Sequence, residues 1–464
     1  MGNPGLMESA TRTVVDMRGT ARVFRYFRAM ARLVFLVGLQ NLSSFTFVFG
    51  YLAFSAASSQ NVGTTPNQEF GVTGLLALET AVALWLCRFV QRGSLPVYLG
   101  LTAVLLYPLA RSLQPIALPP ALVAVLFLFG AVLSWRLARD PDRAAFARTY
   151  RSVALPSPWA VLSRGLRAAR VHPKTVVFAA ASIALAFGSF LFLGGILPAV
   201  GAVFTLHNVG NTDSSTAIAF VLLVILGIVF AVVSLGMLQR SLRQMLVNAV
   251  LDRAEAQRRD TRPPILLLRS FQDDETPVRS TSWVRTLAFG FRRGLTLEQV
   301  IVSVVGHRGP VVAIGRPGEA QRPIGAARSY HAEDEWQGEI VKLLGYAQIV
   351  VVILGPTENI AWEFTKVREL DALEKVIIVF PPCDETDRRR RWNRFASVFG
   401  EFQTALPDGP FPPLACTFDY AERGDIKRPK EIRFAVGDRV DDDSYRMAII
   451  EVASRAEPTR LTST

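Results

Sequence analysis

The apolar and polar positions of this chain follow two regimes that change near residue 263. Before it, long apolar runs dominate, near 33–57, 71–87, 95–110, 116–135, 175–199 and 215–238. A helix needs roughly 20 apolar residues to cross about 30 Å of hydrocarbon, so this pattern predicts six membrane spans. From Pro263 the apolar runs shorten and alternate with helical patterns. Pro264–Arg269 (PILLLR) predicts a strand, Thr296–His307 a helix, Pro310–Gly315 a second strand and Glu333–Tyr346 a second helix. Ile349–Gly355 is an unbroken, β-branched apolar run closed by Gly-Pro, the pattern of a strand buried on both faces. Thr357 and Asn359 then supply N-cap chemistry for a helix beginning around Ala361. Val376–Phe380 predicts a fourth strand, stopped by Pro381-Pro382. A helix near 387–403, a weak strand at Leu414–Phe418 and a helix near 443–456 complete the series.

Strands alternating with helices across short loops argue for a doubly wound parallel sheet of flavodoxin-like kind. The predicted fold class is therefore an α-helical transmembrane region followed by a cytoplasmic α/β domain. The organisation reads as a basic N-terminal segment 1–32, a six-helix region 33–238 with a basic loop 136–174, a linker helix 239–262, an α/β domain 263–456 and a disordered tail 457–464. Basic residues set the orientation. The N-terminal segment, the 88–94 loop, the 136–174 loop and the segment after the last run hold 23 of them, and the alternating loops hold only Arg111. By the positive-inside rule both termini face the cytoplasm of a multi-pass inner-membrane protein. Trp159–Arg170 reads either as an amphipathic helix on the membrane surface or as a solvated connector. Glu79, in the middle of an apolar run, is either a transport group or a hydrogen-bonded carboxyl near Gln40 or Asn41. No internal repeat supports transport.

Half of the residues are hydrophobic and the net charge is +12. The charge sits on one side of the boundary: residues 1–262 carry 24 Lys+Arg against 10 Asp+Glu, and residues 263–464 carry 27 against 29. A basic surplus confined to the predicted membrane half argues against nucleic acid as a partner. Cys87, Cys383 and Cys416 are far apart, and the four histidines form no metal-binding spacing, so disulfide and metal chemistry are disfavoured.

Ligands of open α/β sheets bind outside the carboxyl ends of the strands. Three loops collect polar residues there. The first runs from Arg269 through Ser270, Phe271, Asp273 and Asp274. The second holds Arg316, Gly318 and Glu319 and continues to Arg328. The third carries Thr357, Asn359, Trp362 and Glu363. Arginines and helix N-termini favour phosphate. No Walker A or GxGxxG is present. Each feature also has a structural reading. Asp273-Asp274 can cap a helix, and Arg316 and Arg328 can pair with Glu319 and Glu333. Trp336 lies at helical spacing with core residues, Arg388–Arg391 can be a solvated helix face or a lipid contact, and Glu363 can pair with Lys366 or Arg269.

These loops resemble those of TIR domains. Ser270-Phe271 followed by Asp273-Asp274, then Arg316-Pro317-Gly318, then Val350–Leu354 leading to Trp362 and Glu363, are similar to the three rim segments of that family. Trp362 and Glu363 are adjacent here, whereas TIR domains space them further apart. The wider arrangement also resembles a group of uncharacterised bacterial multi-span membrane proteins. The TIR resemblance implies a nucleotide ligand, with NAD as substrate rather than cofactor, and Glu363 as the catalytic residue for cleaving the nicotinamide–ribose bond. It implies Ser270, Phe271, Asp273, Asp274, Arg316, Gly318, Arg328 and Trp362 as ligand contacts. In the cleavage reading a carboxylate at Glu363 stabilises an oxocarbenium-like ribosyl cation. The alternative is a module that binds a nucleotide or self-associates without turnover, and a transporter is a second alternative.

Overall fold

The computed structural model describes residues 11–26, 251–270, 276–279, 295–315, 324–332, 335–398, 405–423 and 426–456, with Ala29 and a few positions between 132 and 237. Strand β1 (Thr11–Asp16) lies near the start of the chain. Then come helix α1 (Arg253–Arg259), β2 (Ile265–Leu268), the short pair β3 (Pro277–Val278) and β4 (Leu295–Thr296), and α2 (Leu297–Val305). β5 (Val311–Ile314), β6 (Ala327–Ser329), α3 (Trp336–Tyr346), β7 (Ile349–Ile353) and α4 (Glu358–Glu369) follow. β8 (Val376–Val379), α5 (Glu385–Val398), β9 (Pro413–Arg423), β10 (Ile426–Val436) and α6 (Asp442–Ala453) complete the domain.

The main sheet has eight strands in the order β1-β10-β9-β8-β7-β2-β5-β6. β5, β2, β7 and β8 are parallel neighbours. β6 is parallel to β5 at the edge, so these five strands run β6-β5-β2-β7-β8, 3-2-1-4-5 by sequence, an order that differs from the 2-1-3-4-5 of flavodoxin-like sheets. The rest of the sheet departs from a purely parallel design. β9 runs antiparallel to β8, β10 antiparallel to β9, and β1 parallel to β10. The predicted doubly wound parallel sheet is thus corrected to a mixed sheet. The hairpin was missed because its second strand, IKRPKEIRFAV, alternates charge with apolar residues and contains Pro429. That composition reads as loop when no partner strand is known. The participation of β1 also means that the sheet draws on residues far upstream of 263.

The multi-span prediction is corrected as well. Among the described residues no helix is long and apolar enough to cross a membrane. The longest of the numbered helices, α5, has 14 residues and is rich in arginine. The inner-membrane location and the orientation of the termini rested on those spans and fall with them. Apart from single helical positions such as Ile225, Val229 and Val233, the six apolar runs lie outside the described residues. So do Glu79, the 159–170 segment and the tail from 457.

Local chemistry explains the elements that position the rim. β7 (IVVVI) and β8 (VIIV) are buried along their full length, as strands covered on both faces must be. Thr296 caps α2 in a reciprocal capping box with Gln299. Asp441 caps α6 by accepting from the Ser444 amide at 2.8 Å. One face of the sheet packs Leu266, Leu268, Val350, Val352 and Ile378 against Ile340, Leu343, Phe364, Trp392 and Phe395 of α3, α4 and α5. On the other face α2 packs on α6. Arg308 donates to the Ala453 carbonyl at 2.7 Å and Arg446 to Ser303 Oγ at 2.7 Å. Each fully buried Val, Leu or Ile contributes on the order of 1.5–3 kcal/mol, so the two layers hold the strand ends in fixed register.

Candidate functional site at the carboxyl edge of the sheet

β2 and β7 are adjacent, and the chain leaves them toward different neighbours, β5 and β8. That is the switch point where a crevice opens at the carboxyl ends of parallel strands. Three ionisable side chains meet there, and Glu363 lies within electrostatic reach of one of them, Arg269. β2 is apolar until it ends, and the next residue is Arg269. Residues of a strand alternate faces, so Arg269 follows Ile265 and Leu267 toward the layer that holds α2. Its Nε lies 3.3 Å from Glu298 Oε2, and both side chains are almost wholly excluded from solvent. Arg328, in the middle of β6, donates to the same Oε2 at 2.9 Å. Glu298 Oε1 accepts from the Ala326 amide at 2.8 Å. One carboxylate in the first turn of α2 therefore joins two buried guanidinium groups and the backbone that leads into β6.

The packing around Glu298 leaves no room at Gly325. A Cβ built there collides with the Glu298 carboxylate. Gly325→Ala is expected to push that carboxylate from its arginines and to cost about 1–3 kcal/mol, read as a lower urea midpoint.

Glu363 approaches from the other side of the switch point, on the second turn of α4. It is 6 % exposed, and its Oε2 has no hydrogen-bond partner among the described residues. Lys366 does not serve it, because the Lys366 ammonium pairs with Glu369 at 2.6 Å. Burial pushes the Glu363 carboxyl up to about 8, against the opposing pull of the Arg269 charge. At pH 7 burial therefore favours the protonated form. Glu363 is then a neutral hydrogen-bond donor. Arg269, Arg328 and Glu298 place charged groups in the water-excluded layer next to it.

The predicted contacts fare differently. Ser270 is buried directly after Arg269, next to this cluster in the chain. Arg328 joins the cluster and pairs with Glu298. Glu333 lies outside the described residues. Trp362 points elsewhere: its ring meets Trp336 edge-on with centroids 5.2 Å apart, and Lys366 lies 5.8 Å from its centre. This ring serves the α3–α4 contact, and its adjacency to Glu363 explains why, since neighbours on a helix do not share a face. Phe271, Asp273, Asp274, Arg316 and Gly318 lie outside the described residues. Glu298 was missed. The clue was an arginine at the end of an apolar strand, which requires a carboxylate nearby, and the first turn of α2 offered one.

The arginines of α5 are not simply a solvated face. Arg388 is buried, bonded to Glu385 Oε2 at 2.6 Å and to the Cys383 carbonyl at 2.7 Å. Arg391 reaches the Leu354 carbonyl at 3.1 Å, and Arg394 the Pro356 carbonyl, so α5 is tied to the turn that joins β7 to α4.

Compared with protein-family models, curated proteins and solved structures, the chain shows no significant match to any of them.

Proposed function

We propose that the α/β domain is a binding module for a nucleotide-type ligand, seated at the switch point between β2 and β7. The observation that carries this reading is Glu363: a carboxyl excluded from solvent, with an oxygen left unbonded among the described residues, at the sheet edge where ligands of such folds bind. An unsatisfied buried polar atom costs about 1–3 kcal/mol, and a ligand acceptor would recover it. A ribose or amide oxygen meets the neutral Glu363 hydroxyl, and guanidinium groups such as those of Arg269 and Arg328 are the side chains that recognise phosphate. The rim segments that resemble TIR domains fit the same ligand class.

The protonation state favours binding over cleavage. Stabilising an oxocarbenium-like ribosyl cation requires a negative carboxylate, and Glu363 is mostly neutral at pH 7. Nicotinamide departs as a neutral molecule, so a neutral acid at this position does little for it. The expected result is that the full chain binds NAD and returns it intact. Calorimetric titration checks the first part, and chromatography for free nicotinamide checks the second. No binding, or release of nicotinamide that Glu363→Ala abolishes, sinks this reading.

A further inference from the structure

We infer that the ligand seat reaches from Glu363 across to the β6 edge of the sheet and takes a dinucleotide, whose far ribose meets Ser329 and His331. The inference rests on the nucleotide reading above and fixes the size of that ligand. Strand order is its first support. β6-β5-β2-β7-β8 runs 3-2-1-4-5 by sequence, the order of sheets that bind dinucleotides across the crevice at the switch point, one nucleotide to each half of the sheet. The chain has no GxGxxG, so side chains take over the holding of the far half.

Two side chains on the β6 side fit that task. Ser329 is the last residue of β6, and His331 follows two positions later. Both residues are partly exposed, yet Ser329 Oγ and His331 Nε2 are shut off from solvent, and neither has a hydrogen-bond partner among the described residues. Buried polar atoms are rarely left unpaired, and two of them this close together point to a partner from outside the chain. Ser329 pairs in register with Ile314, which packs against the core under α3 and α4. In-register neighbours share a face, so Ser329 lies on the side of the sheet that carries α4 and Glu363.

The segment is held in place. The Gly315 amide donates to the Ser329 carbonyl at 2.9 Å, and the Tyr330 ring fills the space that a Cβ on Gly315 would need. β6 stands three strands from β7, about 14 Å at roughly 4.8 Å per spacing. Glu363 and the Ser329–His331 pair thus serve opposite ends of one ligand. A serine hydroxyl donates and accepts, and a ribose diol does both as well, so it satisfies Ser329 together with either tautomer of His331.

Calorimetric titration of the full chain with NAD, nicotinamide mononucleotide and AMP tests the inference. NAD is expected to bind at least tenfold tighter than either mononucleotide. Ser329→Ala and His331→Ala are each expected to weaken NAD roughly tenfold. Ser329→Ala removes an unsatisfied buried hydroxyl, so its urea midpoint should hold or rise while its affinity falls. A mononucleotide that binds as tightly as NAD overturns the inference and leaves the nucleotide reading standing. So does NAD affinity within twofold of the parent in either variant, or a weakening by Ser329→Ala that comes with a lower urea midpoint. Absence of NAD binding by the parent chain overturns the nucleotide reading itself, and this inference with it.

Discussion

Replacing Glu363 by Gln is expected to remove a pH-dependent loss of stability worth about 3 kcal/mol at pH 7. The sign follows from the two protonation states. In the unfolded chain a glutamate ionises near 4.5, and in the folded chain Glu363 holds its proton to about 8. Below pH 4.5 both states carry the proton and the site contributes no penalty. Between 4.5 and 8 the unfolded state gains by ionising while the folded state does not, so stability falls by about 1.4 kcal/mol per pH unit. Above 8 both are ionised and the loss is complete. Glutamine keeps the shape and cannot ionise. The gap between variant and parent, measured by urea denaturation, should therefore widen from pH 4.5 to pH 8 and then stay level. Parallel profiles for the two chains would mean that Glu363 is not held neutral.

The second large effect concerns Glu298. Glu298→Ala leaves Arg269 and Arg328 buried without the carboxylate they share, and it strips the Ala326 amide of its acceptor. Breaking a buried ion pair on one side typically costs about 3–5 kcal/mol. The outcome to expect is a loss of that size in unfolding free energy. Faster amide exchange in β2 and β6 should accompany it, because Arg269 directly follows β2 and Arg328 lies within β6. Replacing the carboxylate and one arginine together, as Glu298→Leu with Arg328→Met, should cost less than Glu298→Ala alone, since apolar residues of similar volume replace buried ion pairs well. A single Glu298→Ala loss below about 1 kcal/mol would show that the cluster is solvated and adaptable rather than charged and water-excluded.

The parallel core was legible because its signals are local. PILLLR, PVVAIG, IVVVILG and VIIVF are apolar runs bounded by Gly and Pro, and each became a strand within a residue or two of the expected bounds. Glu363 was legible by position, since the helix after β7 has to pass the carboxyl edge. What escaped depended on partners distant in sequence. β10 becomes a strand only because β9 and β1 flank it, and β6, three residues long, only because β5 offers an edge. Glu298 meets its arginines across 29 and 30 positions, and no periodicity encodes that. The apolar runs before residue 240 were read by composition alone. Composition measures how an isolated segment partitions, and among the described residues no membrane-crossing helix accompanies them.

The pH dependence of NAD binding by the parent chain and by Glu363→Gln tests directly whether Glu363 acts as a donor. If the neutral Glu363 carboxyl donates to the ligand, parent affinity should hold from pH 6 to 7 and fall as the pH passes about 8. The Gln chain, whose amide donates at every pH, should bind with a flat profile. Parent binding that is flat across this range, or that tightens above pH 8, would contradict the account and make the ionised carboxylate the working form.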